Sequence, residues 1–163
     1  MEEVTLPDSV EFVGESAFYV CKGLKKARLS KSMKEIPNFC FDECALLVSV
    51  EIPDGIDAIG KNAFSFCSSL NSVSLPDTIH EISEYAFREC TSLKEIVIPD
   101  SVSMLGLRSF ESCSSLTYVK LSEALDQINS SFSSCTSLEC ITLPPGISEI
   151  SDRGLQLLIP ACL

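Results

Sequence analysis

The sequence contains no tryptophan, a single histidine and few basic residues. Lysine and arginine total 12 against 23 acidic residues, which gives a formal net charge of -11. A chain this acidic repels the phosphates of nucleic acids and the headgroups of anionic lipids, so we expect no nucleic-acid partner. Its longest apolar run is far shorter than a membrane span, so we also expect no membrane insertion.

Sequence motifs for catalysis and cofactor binding are missing as well. The chain has no glycine-rich phosphate loop, no H-E-x-x-H, no C-x-x-C and no G-x-S-x-G. The one histidine, His80, follows an isoleucine position of the repeat described below and is expected on the surface. We therefore expect a protein that is not an enzyme, with no catalytic residue, no cofactor and no metal.

A repeat of 23 residues is the dominant feature that the sequence does have. Phenylalanine, cysteine and leucine recur six times in the frame F-x-x-C-x-x-L. The cysteines of this frame are 23 residues apart, except that the last follows after 22: Cys21, Cys44, Cys67, Cys90, Cys113 and Cys135. Self-similarity at such a period is typical of a solenoid, in which each repeat is one stacked unit.

Each unit predicts one short strand followed by a turn. We number the positions of a unit from the leucine of this frame. Positions 4 and 6 are mostly aliphatic and alternate with polar residues, as in a strand with one buried face. Pro-Asp steps at 7–8, 53–54, 76–77 and 99–100 then end the strand. Stacking makes equivalent strands neighbours in a parallel sheet, and position 18 (phenylalanine) and position 21 (cysteine) return to the core.

Two architectures fit this periodicity, a β-helix and a leucine-rich repeat, and the strand pattern L-x-x-[AVI]-x-[LI] favours the second. The string I-P-D-x-V/I-x-x-I-x-x-x-A-F-x-x-C-x-x-L also resembles the BspA-like leucine-rich repeats, over about residues 4–150. Good examples are 52–70, 75–93 and 98–116. We predict an α/β leucine-rich-repeat solenoid of about seven stacked 23-residue units. Its parallel sheet would lie on the concave face, with turns or short helical segments around Ala-Phe-x-x-Cys.

The repeat pattern predicts a single domain. Residues 1–153 are assigned to the solenoid, and residues 154–163, where the pattern has ended, to a C-terminal tail or cap. The apolar stretch 155–160 either covers the last rung or marks the point where a longer array would continue. Because exposed apolar rungs are sticky, an oligomer through the solenoid ends is a further expectation.

The cysteines of the repeat are expected to be inert buried thiols, because a free cysteine packs as a small apolar residue. Disulfides between successive rungs and a metal site are the alternatives. Parallel rungs hold equivalent Cβ atoms farther apart than the ~3.8 Å that a disulfide requires, and a line of thiols makes no tetrahedron. Cys140 differs, because it occupies an outward strand position, and it is our candidate for an exposed, reactive thiol.

The outward strand positions, 3 and 5, form the candidate binding surface, because solenoids bind partners on extended concave surfaces. Tyr118, with Val97 and Lys120, most resembles an interaction hot spot, since tyrosine is enriched in such spots. The predicted partner-binding residues of the concave face are Lys26, Arg28, Glu51, Glu95, Val97, Tyr118 and Lys120. Half of the basic residues fall in 22–34, where they either orient a partner electrostatically or neutralise neighbouring acidic rungs.

These features predict a non-catalytic protein-binding module. The resemblance to BspA-like repeats implies cell-surface adhesion, with a host surface protein or an extracellular matrix protein as the partner. The alternative is an intracellular scaffold for protein–protein interaction. It is favoured by the unpaired thiols and by the absence of a signal-peptide pattern after Met1. Localisation therefore stays unknown, with the cell surface suggested only by the resemblance.

Overall fold

The computed structural model describes residues 1–151, and the regular structure in this range consists of short strands. The strands are β1 (Glu3–Thr5), β2 (Lys26–Arg28), β3 (Glu35–Ile36), β4 (Ser49–Glu51), β5 (Ala58–Ile59), β6 (Ser72–Val73), β7 (Glu81–Ile82), β8 (Glu95–Val97), β9 (Met104–Leu105), β10 (Tyr118–Lys120), β11 (Gln127–Ile128) and β12 (Glu149–Ile150). The segments around Ala-Phe-x-x-Cys, for which turns and short helices were both expected, are turns throughout residues 1–151.

The strands stack into two parallel ladders whose step is one repeat. Strands at positions 3–5 form the first ladder, in the order β1, β2, β4 and β6, and it resumes with β8 and β10. Strands at positions 12–13 form the second ladder, in the order β3, β5, β7 and β9, and it resumes with β11 and β12. Val50 lies opposite Ala27 in the first ladder, and Ile59 lies opposite Ile36 in the second. The predicted solenoid of 23-residue units with a parallel sheet is therefore confirmed.

The turn segment of each unit also forms hydrogen bonds to the next unit. Phe64 N donates to Ala86 O over 2.8 Å, and Phe66 N donates to Arg88 O over 2.8 Å. Positions 16 and 20 carry side chains in the left-handed backbone region, with φ between 54° and 61° in every turn. This conformation costs about 1–2 kcal/mol for a residue with a Cβ. The hydrogen bonds between rungs hold the chain in it.

Phenylalanine at position 18 forms a continuous stack through the core. Adjacent rings from Phe18 to Phe132 have centroids 5.1–5.5 Å apart and planes within 13° of each other. The four interior rings, Phe41, Phe64, Phe87 and Phe110, have no exposed surface. No ring is covered by its own unit alone, since its two faces meet the units on either side. Burial therefore depends on stacking, as the sequence predicts.

From Cys44 to Cys135 the cysteines at position 21 are buried beside this stack, and each of these thiols donates a hydrogen bond to the preceding rung. Cys67 Sγ lies 3.1 Å from Phe41 O, and Cys90 Sγ lies 3.2 Å from Phe64 O. All the cysteines within residues 1–151 are free thiols, as predicted, and Cys162 lies outside the described residues. The hydrogen bond was not expected, because the sequence was read as placing inert apolar thiols there. Burial also raises the pKa of neighbouring thiols, to about 12 for Cys40 and to about 11 for Cys44.

We predict that Phe64→Ala lowers the free energy of unfolding by about 3–5 kcal/mol, as truncations of large core side chains do. The variant leaves a cavity between two rings that cannot move closer without breaking the backbone register. Urea denaturation of both proteins measures the difference. Phe66→Ala is the matched control, because Phe66 is 41% exposed two residues away and should cost less than about 1 kcal/mol. A cost for Phe64→Ala as small as that of the control would contradict this account of the core.

The buried thiols should make the stability of the fold depend on pH. Burial raises the pKa of the Cys90 thiol well above its ordinary value, so the folded chain keeps this proton in alkaline solution. The unfolded chain releases it above about pH 8.5, which favours unfolding as the pH rises. Each such thiol lowers the free energy of unfolding by about 1.4 kcal/mol per pH unit between its two pKa values.

The destabilisation caused by Cys90→Ala should therefore shrink between about pH 7.5 and pH 10, because only the wild type carries this titrating group. Urea denaturation at both pH values gives the two differences. At neutral pH the variant loses the thiol's packing and its hydrogen bond to Phe64 O. A difference that is the same at both pH values would mean that the folded thiol titrates normally.

Candidate functional site

The candidate site is the outer face of the first ladder. In β8 and β10 the central residue of the strand is buried and the two residues beside it are exposed. Because successive strand residues point to opposite faces, positions 3 and 5 share the outer face in every rung. All seven residues predicted for partner binding lie at these two positions: Lys26, Arg28, Glu51, Glu95, Val97, Tyr118 and Lys120. The structure thus brings them onto one surface, and their role in binding stays a prediction.

This face forms an open trough of about 1260 Å³ that extends from Glu3 in the first rung to Lys120 in the sixth. Six of the seven predicted residues line it. The seventh, Tyr118, lies opposite Glu95 in the ladder, and its side chain is 53% exposed. The trough therefore has the extended shape that repeat proteins use to bind partners.

The cations at the N-terminal end of the trough are paired with carboxylates. Lys26 Nζ lies 3.5 Å from Glu3, and the Arg28 guanidinium lies 3.4 Å from Asp8 and 3.6 Å from Glu51. Exposed pairs of this kind contribute at most about 1 kcal/mol each. They still neutralise the charge that a partner would meet at this end of the trough.

Ion pairs of the same kind neutralise part of the basic segment 22–34. Lys25 Nζ lies 3.0 Å from Glu2, so three cations of the second rung pair with carboxylates of the first. Of the two interpretations that the sequence left open, the structure favours neutralisation of neighbouring acidic rungs. Half of this cluster of like charges along the chain, Lys25, Lys26 and Arg28, becomes a set of separate ion pairs once the rungs stack.

Serines line the middle of the trough, where the first ladder is interrupted. Hydrogen-bonded pairing stops at β6 and resumes at β8. Ser49, Ser72 and Ser74 line the trough around this interruption. Their short side chains leave more room above the sheet than Arg28 or Lys120 does at the two ends. The middle of the trough is therefore rich in short side chains that carry hydroxyl groups.

An acidic row at position 8 forms one side of the site, and the sequence interpretation missed it. Its members occupy position 8 in five of the first six rungs, and the second rung has Lys31 there instead: Asp8, Asp54, Asp77, Asp100 and Glu123. We interpreted the Pro-Asp steps only as signals for the end of each strand. In the structure Asp77 and Asp100 line the trough, and Asp100 also accepts a hydrogen bond of 3.0 Å from Glu123 N. The signal was present, since a carboxylate at position 8 in five of the first six units predicts an acidic ridge.

The turn side of the solenoid carries a second feature that the sequence did not predict. The Arg88 guanidinium lies 5.3 Å from the centroid of the Phe66 ring and 5.7 Å from that of Tyr85, close enough for cation–π contacts. Its Nε lies 2.9 Å from the Glu111 carboxylate. These residues occupy positions 16, 19 and 20, which vary between units and so carry no periodic signal.

Within residues 1–151 no three histidine, cysteine or acidic side chains come together in a way that would hold a metal ion. Nor does that part of the chain contain a helix that could cross a membrane. His80 is exposed, as predicted, and its Nδ1 lies 2.7 Å from the Asp57 carboxylate.

Cys140 is exposed, as predicted, although residues 138–144 form no strand, whereas the described cysteines at position 21 are buried from Cys44 to Cys135. Cys21 of the first rung is partly buried, because no described rung covers it on one side. Exposure makes Cys140 accessible to reagents. Its reactivity stays a prediction.

Comparison with known proteins shows what this chain is similar to. A family model for the BspA-type leucine-rich repeat region matches residues 1–84 and 69–156, in six copies. A leucine-rich repeat protein of Bacteroides ovatus is 33% identical over 91% of this chain and 41% of its own, with a TM-score of 0.86. The leucine-rich repeat protein of T. pallidum is 30% identical over 91% of this chain and 68% of its own, with a TM-score of 0.82.

A more distant protein is similar to this chain in fold alone. The pneumococcal vaccine antigen PcpA is 18% identical over 94% of this chain and 52% of its own, with a TM-score of 0.68. No curated protein sequence matches this chain significantly. The chain spans about two fifths of the B. ovatus protein, whose remaining length has no counterpart in it.

We predict that a maleimide reagent labels Cys140 first in the folded protein at neutral pH. Cys21 should follow more slowly, and the buried thiols such as Cys113 should react only on unfolding, because labelling requires an accessible thiolate. Mass spectrometry of the digested protein assigns each label, and Cys162→Ser removes the one cysteine outside the described residues. Labelling of Cys113 as fast as that of Cys140 would contradict the buried ladder.

Proposed function

We propose a function from one established premise: the chain belongs to the BspA-type leucine-rich repeat family, whose model matches it almost throughout. On this premise, the protein is a non-catalytic module that binds a protein partner along the trough of the first ladder. The observation that carries the proposal is the trough itself, lined over six rungs by strand residues that point away from the core. These side chains do not pack in the core, so the differences between them from rung to rung can serve to recognise a partner.

The chemistry of the trough suits a protein partner. A tyrosine that is 53% exposed and a valine that is 49% exposed, Tyr118 and Val97, lie on adjacent strands beside the charged pair of Lys120 and Asp100. Aromatic and aliphatic anchors surrounded by polar groups are typical of protein interfaces. A continuous row of such groups recognises an extended surface better than it would enclose a small molecule.

Cell-surface adhesion is the specific form of this function that we propose first. The partner would be a host surface protein or an extracellular matrix protein, as the resemblance to BspA-like repeats implies. An intracellular scaffold is the second candidate. It is favoured by the free thiols along residues 1–151, since unpaired cysteines are typical of reducing compartments.

The experiment is a binding assay of the purified chain on intact cells and on a panel of immobilised matrix proteins. The variant Tyr118→Ala/Lys120→Glu should weaken saturable binding by about tenfold or more, because it removes an anchor and reverses a charge in the site. The matched control is Tyr19→Ala/Lys22→Glu, which makes the same two changes away from the trough. Tyr19 is 49% exposed, so the control should fold and bind as the wild type does.

The outcomes separate the two candidates. Binding that the trough variant loses and the control keeps supports a concave-face adhesion module. Equal binding by all three proteins would mean that the partner contacts another surface. Failure of the wild-type chain to bind any cell or matrix protein would contradict adhesion and leave the scaffold as the better hypothesis.

A further inference from the structure

We infer that the trough binds a cationic segment of its partner, an extended stretch of chain whose lysine or arginine side chains enter the middle of the trough beside Asp77 and Glu95. This inference rests on the proposed function, since it takes the trough as the binding surface and names the chemistry of the partner.

The positive charges in the trough are paired with carboxylates, and some of the negative charges are not. Three cations line it, and each has a carboxylate within 4 Å; the third is Lys120, whose Nζ lies 3.7 Å from Asp100. Two further carboxylates line it, Asp77 and Glu95, and within residues 1–151 neither has a lysine, arginine or histidine within that distance. The charge that remains for a partner to neutralise is therefore negative.

The space above the sheet is least filled by side chains near these two carboxylates. Ser72 and Ser74 occupy the two outward positions of the rung that also carries Asp77, and Glu95 belongs to the next rung. Serine is the smallest side chain at these positions among the rungs that line the trough, so a long side chain fits here without displacing anything. A lysine or arginine would place its ammonium or guanidinium group at one of the two carboxylates and its methylene stem on exposed Val97.

The charge of the whole chain acts in the same direction. A formal net charge of -11 attracts a cationic partner from a distance and speeds the encounter. This long-range attraction does not choose a site, since it acts on the whole surface. The unpaired carboxylates in the trough would supply the local preference, because they are the groups there that gain a partner on binding.

A peptide probe tests the inference. The probe is a fluorescent twelve-residue peptide of alternating lysine and serine, with the same peptide carrying acetylated lysine as its uncharged counterpart. The lysine peptide should bind saturably and at a 1:1 ratio, and the acetylated peptide should not bind. Asp77→Asn/Glu95→Gln should weaken binding of the lysine peptide by about tenfold or more at physiological salt.

The matched control is Glu11→Gln/Asp126→Asn. Both residues are exposed at position 11, outside the trough, and the variant changes the net charge by the same amount. It should bind the lysine peptide within about twofold of the wild type, because it alters only the long-range attraction. Equal weakening by both variants would overturn the inference, since the net charge alone would then explain binding.

Two further outcomes would also overturn it. Failure of the lysine peptide to bind the wild-type chain would show that the trough does not take a cationic segment. Competition by spermine at the same concentration as the peptide would show a site for small polycations rather than for a polypeptide. Urea denaturation of each variant confirms that it is folded.

The cell and matrix assay separates this inference from the proposed function. If Tyr118→Ala/Lys120→Glu loses protein binding while Asp77→Asn/Glu95→Gln keeps it, the trough binds a partner and the cationic segment is wrong. If both variants keep protein binding, the trough itself is the wrong surface. If both variants lose protein binding while both controls keep it, the result supports the proposed function and the cationic segment together.

Discussion

Stacking in register is the constraint on which the rest of this structure depends. A single 23-residue unit has no core of its own, because its phenylalanine ring is buried only when the rungs on both sides cover it. The parallel backbone hydrogen bonds fix each residue opposite its equivalent 23 residues away. The 22-residue unit keeps this register on both sides of its shortened turn. Strands β11 and β12, which lie before and after the missing residue, still pair with Gln127 opposite Glu149, and the phenylalanine stack continues through to Phe132.

The same register gives the buried thiols and the backbone N–H groups of the turns their partners. The thiol at position 21 meets the phenylalanine carbonyl of the rung before it, and its raised pKa keeps it protonated as a donor; Cys90 and Phe64 are an example. The backbone at positions 16 and 20, although in an unfavourable region, donates its N–H groups to the next rung. Replacing a repeat cysteine therefore removes a specific hydrogen bond as well as apolar volume.

Because the register also fixes the outer faces, differences between rungs appear as a surface pattern along the solenoid. Cations of the second rung meet carboxylates of the first, so the trough is neutral at that end, and unpaired carboxylates remain in its middle. A partner that binds along the trough would contact several rungs at once. Its affinity would depend on a few exposed anchors such as Tyr118 and on charge neutralisation at Asp77 and Glu95.

The sequence by itself determined the period, the inward residues and the face that carries the predicted binding residues. A stacked repeat places equal positions in equal environments, so Phe64 and Lys120 could be assigned to core and surface without coordinates. It left open whether the Ala-Phe-x-x-Cys segment forms turns or short helices. Only the tertiary structure decided which charges are paired, which thiols donate hydrogen bonds, and that Arg88 packs on Phe66 and Tyr85. Those contacts join positions that vary between rungs, so the repeat gives no signal for them. Which side chains meet there depends on the conformations that the side chains adopt in the folded protein.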